Sequence, residues 1–143
     1  MARFKDPSVV TKAFQPHLAE GEQITHYAYG VKQPPIWLII ILMCLAILPG
    51  IIAVALLTKE YIVALTGSRF LVIRFSGGKV NVKEFIEYQL GEIRDVKTSK
   101  GAIFTVIKIK DEVKPFTAKF HRMGMKENRE HSQAIADALA AQA

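Results

Sequence analysis

The chain has 143 residues, half of them hydrophobic, and carries 19 Lys and Arg against 13 Asp and Glu for a net charge of +6. This length bounds the folded part to one domain with a small core. The single cysteine, Cys44, excludes an intramolecular disulfide and a cysteine-based metal site, which fits a cytosolic or membrane-buried setting.

Residues 1–34 hold four basic and three acidic groups, net +1, and residues 59–143 hold fifteen and ten, net +5. The surplus lies in the C-terminal part. A moderately basic domain fits an anionic lipid surface, at about 1 kcal/mol per Lys or Arg close to it. Nucleic acid binding would want clustered Arg or aromatics interleaved with basic residues, and the lysines are scattered along the sequence.

Asp6-Pro7 combines an N-cap residue with a proline at the first helical position, and Val9, Val10, Ala13 and Phe14 then fall on one face. A short amphipathic helix that ends before Pro16 and packs on the domain is expected. Ala19-Glu20-Gly21-Glu22 is turn-like, and Gln23 to Val31, rich in Tyr, Thr and Ile in near alternation, reads as a strand. Lys32-Gln33-Pro34-Pro35 ends it, because two prolines cannot continue a ladder.

Ile36 to Leu57 follows, 22 residues without a charge and apolar on every side. A core helix needs only one apolar face, so such a run belongs in lipid. Its Leu, Ile and Val residues together favour insertion by on the order of −4 to −8 kcal/mol. Ile36, Trp37, Leu38, Ile39, Ile40, Leu42, Leu45, Leu48, Pro49, Gly50, Ile51, Ile52, Leu56 and Leu57 are the residues expected to insert. Trp37 would lie at one interface and Thr58 to Tyr61 at the other. No small-x-small site closes the run, unlike a cleaved signal peptide.

Beyond the run, Tyr61 to Thr66 and Arg69 to Ser76 read as a hairpin joined by Gly67-Ser68. Gly77-Gly78 turns the chain into Lys79 to Tyr88, which alternates with Val80 and Val82 on its buried face. Leu90 to Thr98 reads as a shorter, edge-like strand, and Ala102 to Lys110 as the strongest strand of all. Val113 to Phe120 is expected at an edge or with a bulge, because Pro115 removes a ladder donor. HRMGMK, with Met123 and Met125, reads as the loop into a last helix. From about Asn128, good helix formers with Ile135, Ala138, Leu139 and Gln142 at helical spacing predict an amphipathic helix over one opening of the sheet.

YIVALTGSRFLVI, containing Leu65, Thr66 and Arg69, resembles a stretch of bacterial pleckstrin-homology-like (bPH) domains, as do YQLGEIRDVKTSKG and the earlier LAEGEQI. The order of elements is also that of the pleckstrin-homology (PH) superfold. The resemblance covers about residues 18–141 and implies a mainly β fold with α, a seven-stranded, partly open barrel or sandwich capped by a C-terminal helix. Residues 22–34 and 58–143 would form it, 1–21 an N-terminal helix and turn, and 35–57 an insertion between the first two strands. In eukaryotic relatives of the superfold that loop gathers basic residues around a phosphoinositide headgroup. Here hydrocarbon-seeking residues stand in its place, which implies attachment by insertion. Adjacent loops of such a barrel share one end, so Lys32, Lys59, Lys79, Lys110 and Lys114 are the expected contacts to anionic lipid.

Pairing of the first two strands would bring both ends of the run to one side of the membrane. Leu48-Pro49-Gly50 is turn chemistry. An apolar helical hairpin with arms Ile36 to Leu48 and Ile51 to Leu57, about 20 and 10 Å long, would then sit in one leaflet. Backbone polar groups at its bend need partners in lipid, which neighbouring copies packed around it would supply, so a homo-oligomer is expected. A single kinked transmembrane helix of about 33 Å is the alternative, and it would leave the barrel without its first strand.

No nucleophile elbow, phosphate loop, zinc spacing or carboxylate pair appears, and His17, His26, His121 and His131 are scattered. The expected function is a non-enzymatic scaffold or interaction module without a cofactor, at the cytoplasmic face of the inner membrane. It would self-associate and contact lipid and a protein partner, with no nucleic acid. The competing expectation is a soluble ring or filament that buries the run between subunits.

Overall fold

Seven antiparallel strands form one sheet in the computed structural model, which describes residues 8–32, 36–45, 47–76, 81–122, 124–125 and 127–142. The strands are β1 (Ile24–Lys32), β2 (Lys59–Thr66), β3 (Arg69–Ser76), β4 (Asn81–Gln89), β5 (Val96–Lys100), β6 (Phe104–Ile109) and β7 (Phe116–His121). Helix α1 (Ser8–Phe14) precedes β1, α2 (Ile36–Leu45) and α3 (Ile47–Leu57) separate β1 from β2, and α4 (Asn128–Gln142) follows β7.

The strand order β4-β3-β2-β1-β7-β6-β5 puts β4 and β5 at opposite edges, although they follow one another in the chain. The step from Gln89 to Val96 covers at most about 24 Å, whereas a flat seven-stranded sheet measures about 29 Å across. The sheet therefore curls until its edges approach. Inside the curl lie Ala28, Val63, Leu65, Phe70, Val72, Ile107, Phe116 and Phe120, with Ile135 and Leu139 of α4 closing the opening. Outside β2 and β3, Ile62, Ala64, Leu71 and Ile73 are also buried, beneath Val10 and Phe14 of α1. Both faces of β2 and β3 are covered, which is why YIVALT and RFLVI read as continuous apolar runs. Burying Val10 and Phe14 stabilises the N-terminal segment by about 1.5–3 kcal/mol per side chain.

Several expectations need correction. Leu90–Glu92 forms a 3-10 turn, and the edge strand starts only at Val96, because residues 90–95 must cross from one sheet edge to the other. Ile93 plugs the core there. β4 buries Tyr88 and not Val82, which is 44% exposed beyond a bulge between Arg74 and Phe75. Val113 and Pro115 lie in the loop before β7, so the proline costs the ladder nothing. Met125 is a core residue of the outer cluster. Asp6-Pro7, Pro34-Pro35, Gly77-Gly78, Val80 and Met123 lie outside the described residues.

α2 ends at Leu45 and α3 begins at Ile47, ahead of Leu48-Pro49-Gly50. Pro49 is instead the third residue of α3, where its missing N–H would have no helical partner in any case. Gly50 faces the other arm: a Cβ there would lie 2.6 Å from the carbonyl oxygen of Leu42, so glycine permits the close approach of the two helices. The arms of 10 and 11 residues are about 15 and 17 Å long. Among the described residues no helix is long and apolar enough to cross a membrane, so the single crossing helix is not formed. β1 pairs with β2 from Ile24↔Thr66 to Lys32↔Lys59, and the barrel keeps its first strand.

Candidate functional site

The two helices between β1 and β2 expose what other elements bury. Ile36, Trp37, Ile40, Ile41 and Leu45 of α2, and Ile47, Leu48, Ile51, Ile52, Leu56 and Leu57 of α3, are 48–81% exposed. α2 buries no residue at all. Leu38, Ile39 and Leu42 are half-buried, Pro49 is exposed, and Gly50 is buried between the arms. Contiguous apolar surface of this kind marks a place where water is normally excluded by lipid or another protein.

The root of the hairpin is polar and fixed. Thr58 closes α3, its backbone N–H and hydroxyl both donating to the Val54 carbonyl at 3.0 and 2.8 Å. Lys32 and Lys59 are directly opposed on β1 and β2. Like charges so placed repel, and neither enters an ion pair among the described residues. Beside them, the Tyr29 hydroxyl donates to Glu60 Oε2 at 2.8 Å.

Of the five lysines read from the sequence, four lie among the described residues, and of these Lys32 and Lys59 are brought together at the root. Lys79 lies outside the described residues. Lys110 follows β6, its N–H donating to the Asp95 carbonyl at 2.8 Å. Lys114 folds over β4, with Nζ donating to the Glu87 carbonyl at 3.1 Å and its own carbonyl accepting from the Tyr88 hydroxyl. Sequence reading missed Lys97, Lys108 and Lys119, exposed on β5, β6 and β7. The alternation Ile107-Lys108-Ile109-Lys110 carried that signal.

The residues shared with the bPH stretches are structural. Glu22, from LAEGEQI, accepts hydrogen bonds from Arg69 and from the Thr66 hydroxyl, joining the entry to β1 with the β2–β3 turn. Arg69 also donates to the His17 carbonyl at 3.0 Å and pairs with Glu87 at 3.1 Å. The hydrogen bond from Arg69 holds the Glu22 carboxyl at about 2, and the same bond raises Arg69 above its ordinary value.

The histidines are not all scattered. His26 Nδ1 lies 3.4 Å from His131 Nδ1, and Tyr27 stacks on His131 at 4.6 Å. Burial first, and His26 second, lower the His131 pKa. His17 stacks on Phe85. Among the described residues no three His, Cys, Asp or Glu side chains are grouped to hold a metal.

A family model described as bacterial PH domain matches residues 18–137. Among solved structures the chain is similar to the hSac2 domain from human phosphoinositide phosphatase Sac2, with a TM-score of 0.52 and 10% identity, covering 94% of this chain and 79% of that one. It is also similar to the C-terminal domain of an unknown protein from Leishmania infantum, with a TM-score of 0.47 and 12% identity, covering 93% and 96% of the two chains. The search of curated proteins finds no match. At such identities the first likeness speaks for the fold alone. The matched residues run from the approach to β1 into α4, and the chain belongs to the bacterial PH domain family.

Proposed function

We propose that this protein is a non-enzymatic PH-like module that anchors itself in one membrane leaflet through the α2–α3 hairpin. The barrel then rests on the surface as a scaffold for lipid headgroups, further copies of the chain and a protein partner. The observation that carries this reading is the exposure of eleven large apolar side chains on two helices rooted between opposed lysines. Arms of about 15 and 17 Å match half of a hydrocarbon core about 30 Å thick. Lys32 and Lys59 can extend their ammonium groups to the headgroups while their stems stay apolar. The net +5 of residues 59–143 suits the anionic cytoplasmic leaflet.

Detergent-free flotation of the full chain with phosphatidylcholine vesicles tests this. The protein will float, and Ile40→Lys with Ile52→Lys will not, since each charge within hydrocarbon costs about 2.5–3.5 kcal/mol. A ring or filament that stays soluble and ignores vesicles would support the rival reading, in which the hairpins are buried between subunits.

A further inference from the structure

Strands β5, β6 and β7 contain no Asp or Glu. Alternation sorts their side chains between two faces. Ile107, Ile109, Phe116, Ala118 and Phe120 face the core, so Lys97, Lys108 and Lys119 stand on the outward face with Phe104, and all four are exposed. Lys97 is directly opposite Lys108. Such pairing of like charges weakens a sheet, so sheet stability does not explain it. Lys110 extends the row, and its like charge close by lowers the Lys97 pKa, with Asp95 at the rim acting the other way. Lys119 Nζ lies 5.8 Å from the centre of the Phe104 ring.

Among the described residues none of these four lysines enters an ion pair. Lys100 is the contrast: alternation turns it to the other face, where it pairs with Asp137 of α4 at 2.6 Å. The lysine face also approaches the root of the hairpin: Lys119 is in register with Val31, one residue before Lys32, which alternation turns to the other face, opposite Lys59.

We infer that the outward face of β5–β7 is a contact for anionic phospholipid headgroups, engaged when the hairpin inserts; this rests on the anchoring reading above. The chemistry favours lipid over nucleic acid. The face has no Arg to grip phosphates bidentately and one exposed aromatic ring, too little for a stacking platform. Point charges spread over an open sheet match a planar layer of headgroups.

The test compares binding of the full chain to vesicles of phosphatidylcholine alone and with 30% phosphatidylglycerol at low salt, a vesicle composition of roughly physiological negative charge. Wild type will prefer the anionic vesicles. Lys97→Gln/Lys108→Gln/Lys119→Gln will lose on the order of 100-fold of that preference, about fivefold per lysine, while its binding to neutral vesicles stays unchanged. The same three positions changed to Arg will retain the preference, which separates charge from folding. An equal preference in wild type and the Gln variant would overturn the lipid face and leave the hairpin reading intact. Loss of neutral-vesicle binding with the lysine-dependent anionic binding retained would overturn the hairpin alone. Salt-steep binding of a single-stranded 20-mer that the Gln variant loses, without any vesicle preference, would replace lipid with nucleic acid as the occupant.

Discussion

Asn128 grips Tyr29 by both of its backbone groups. Its Oδ1 accepts from the Tyr29 N–H at 2.8 Å and its Nδ2 donates to the Tyr29 carbonyl at 2.9 Å. The same Nδ2 donates to the His121 carbonyl at 2.7 Å. A fully buried side chain at the start of α4 thus does the work of a strand at the seam where β1 meets β7, whose ladder is the single register Val31↔Lys119. It ties the capping helix to the sheet at that seam.

Asn128→Ala removes all three bonds from a buried site and is expected to cost about 2–4 kcal/mol. The urea midpoint checks this. A midpoint equal to wild type would mean the seam is held by side-chain packing and not by this amide.

Acid stability follows from Glu22. Its carboxyl sits at about 2 against an ordinary 4.5, chiefly through the hydrogen bond from Arg69. A lowered carboxyl stabilises the fold above its unfolded value, and that stabilisation is lost as pH falls through the folded one. Unfolding free energy is therefore expected to drop by about 3 kcal/mol between roughly pH 5 and pH 2. Glu22→Gln will lose a similar amount at pH 7 and flatten that part of the pH profile. Chemical denaturation at several pH values reads both.

Thr105 Oγ1 is buried without a hydrogen-bond partner among the described residues. Thr105→Val keeps the shape and removes the unsatisfied hydroxyl, so it is expected to stabilise by about 1 kcal/mol. That corresponds to a rise in Tm of about 2–4 °C in a calorimetric scan. A fall in Tm would show that the hydroxyl is satisfied in solution.

Two glycines separate the barrel from the hairpin. A Cβ on Gly30 would lie 2.7 Å from the Phe120 ring, so Gly30→Ala overpacks the core and will cost about 1–3 kcal/mol. A Cβ on Gly50 would meet the Leu42 carbonyl. Gly50→Val will push the arms apart and weaken vesicle binding while the unfolding midpoint of the barrel stays within about 0.5 kcal/mol of wild type.

What the sequence made legible was local chemistry. Gly67-Ser68 and the apolar run after it define β3 as Arg69–Ser76, and the helix formers from Asn128 define α4. The hairpin was legible in kind but not in detail, because proline reads as a breaker although the first turn of a helix tolerates it at Pro49. What stayed hidden depends on chain reversal. His26 and His131 meet across 105 residues, and Glu22 meets Arg69 across 47. Lys97, Lys108 and Lys119 look scattered until the registers of β5, β6 and β7 align them on one face.

The most direct measurement uses Trp37, the only tryptophan in the chain and 60% exposed on α2. Its emission is recorded with vesicles whose acyl chains carry bromine near the headgroup or near the bilayer centre. Insertion predicts a blue shift on adding vesicles, with Trp37 quenched mainly by the shallow bromines. In Trp37→Phe/Leu45→Trp, which moves the reporter to the turn, the deep bromines will quench more. Emission that neither shifts nor quenches with any vesicle would contradict anchoring by the hairpin.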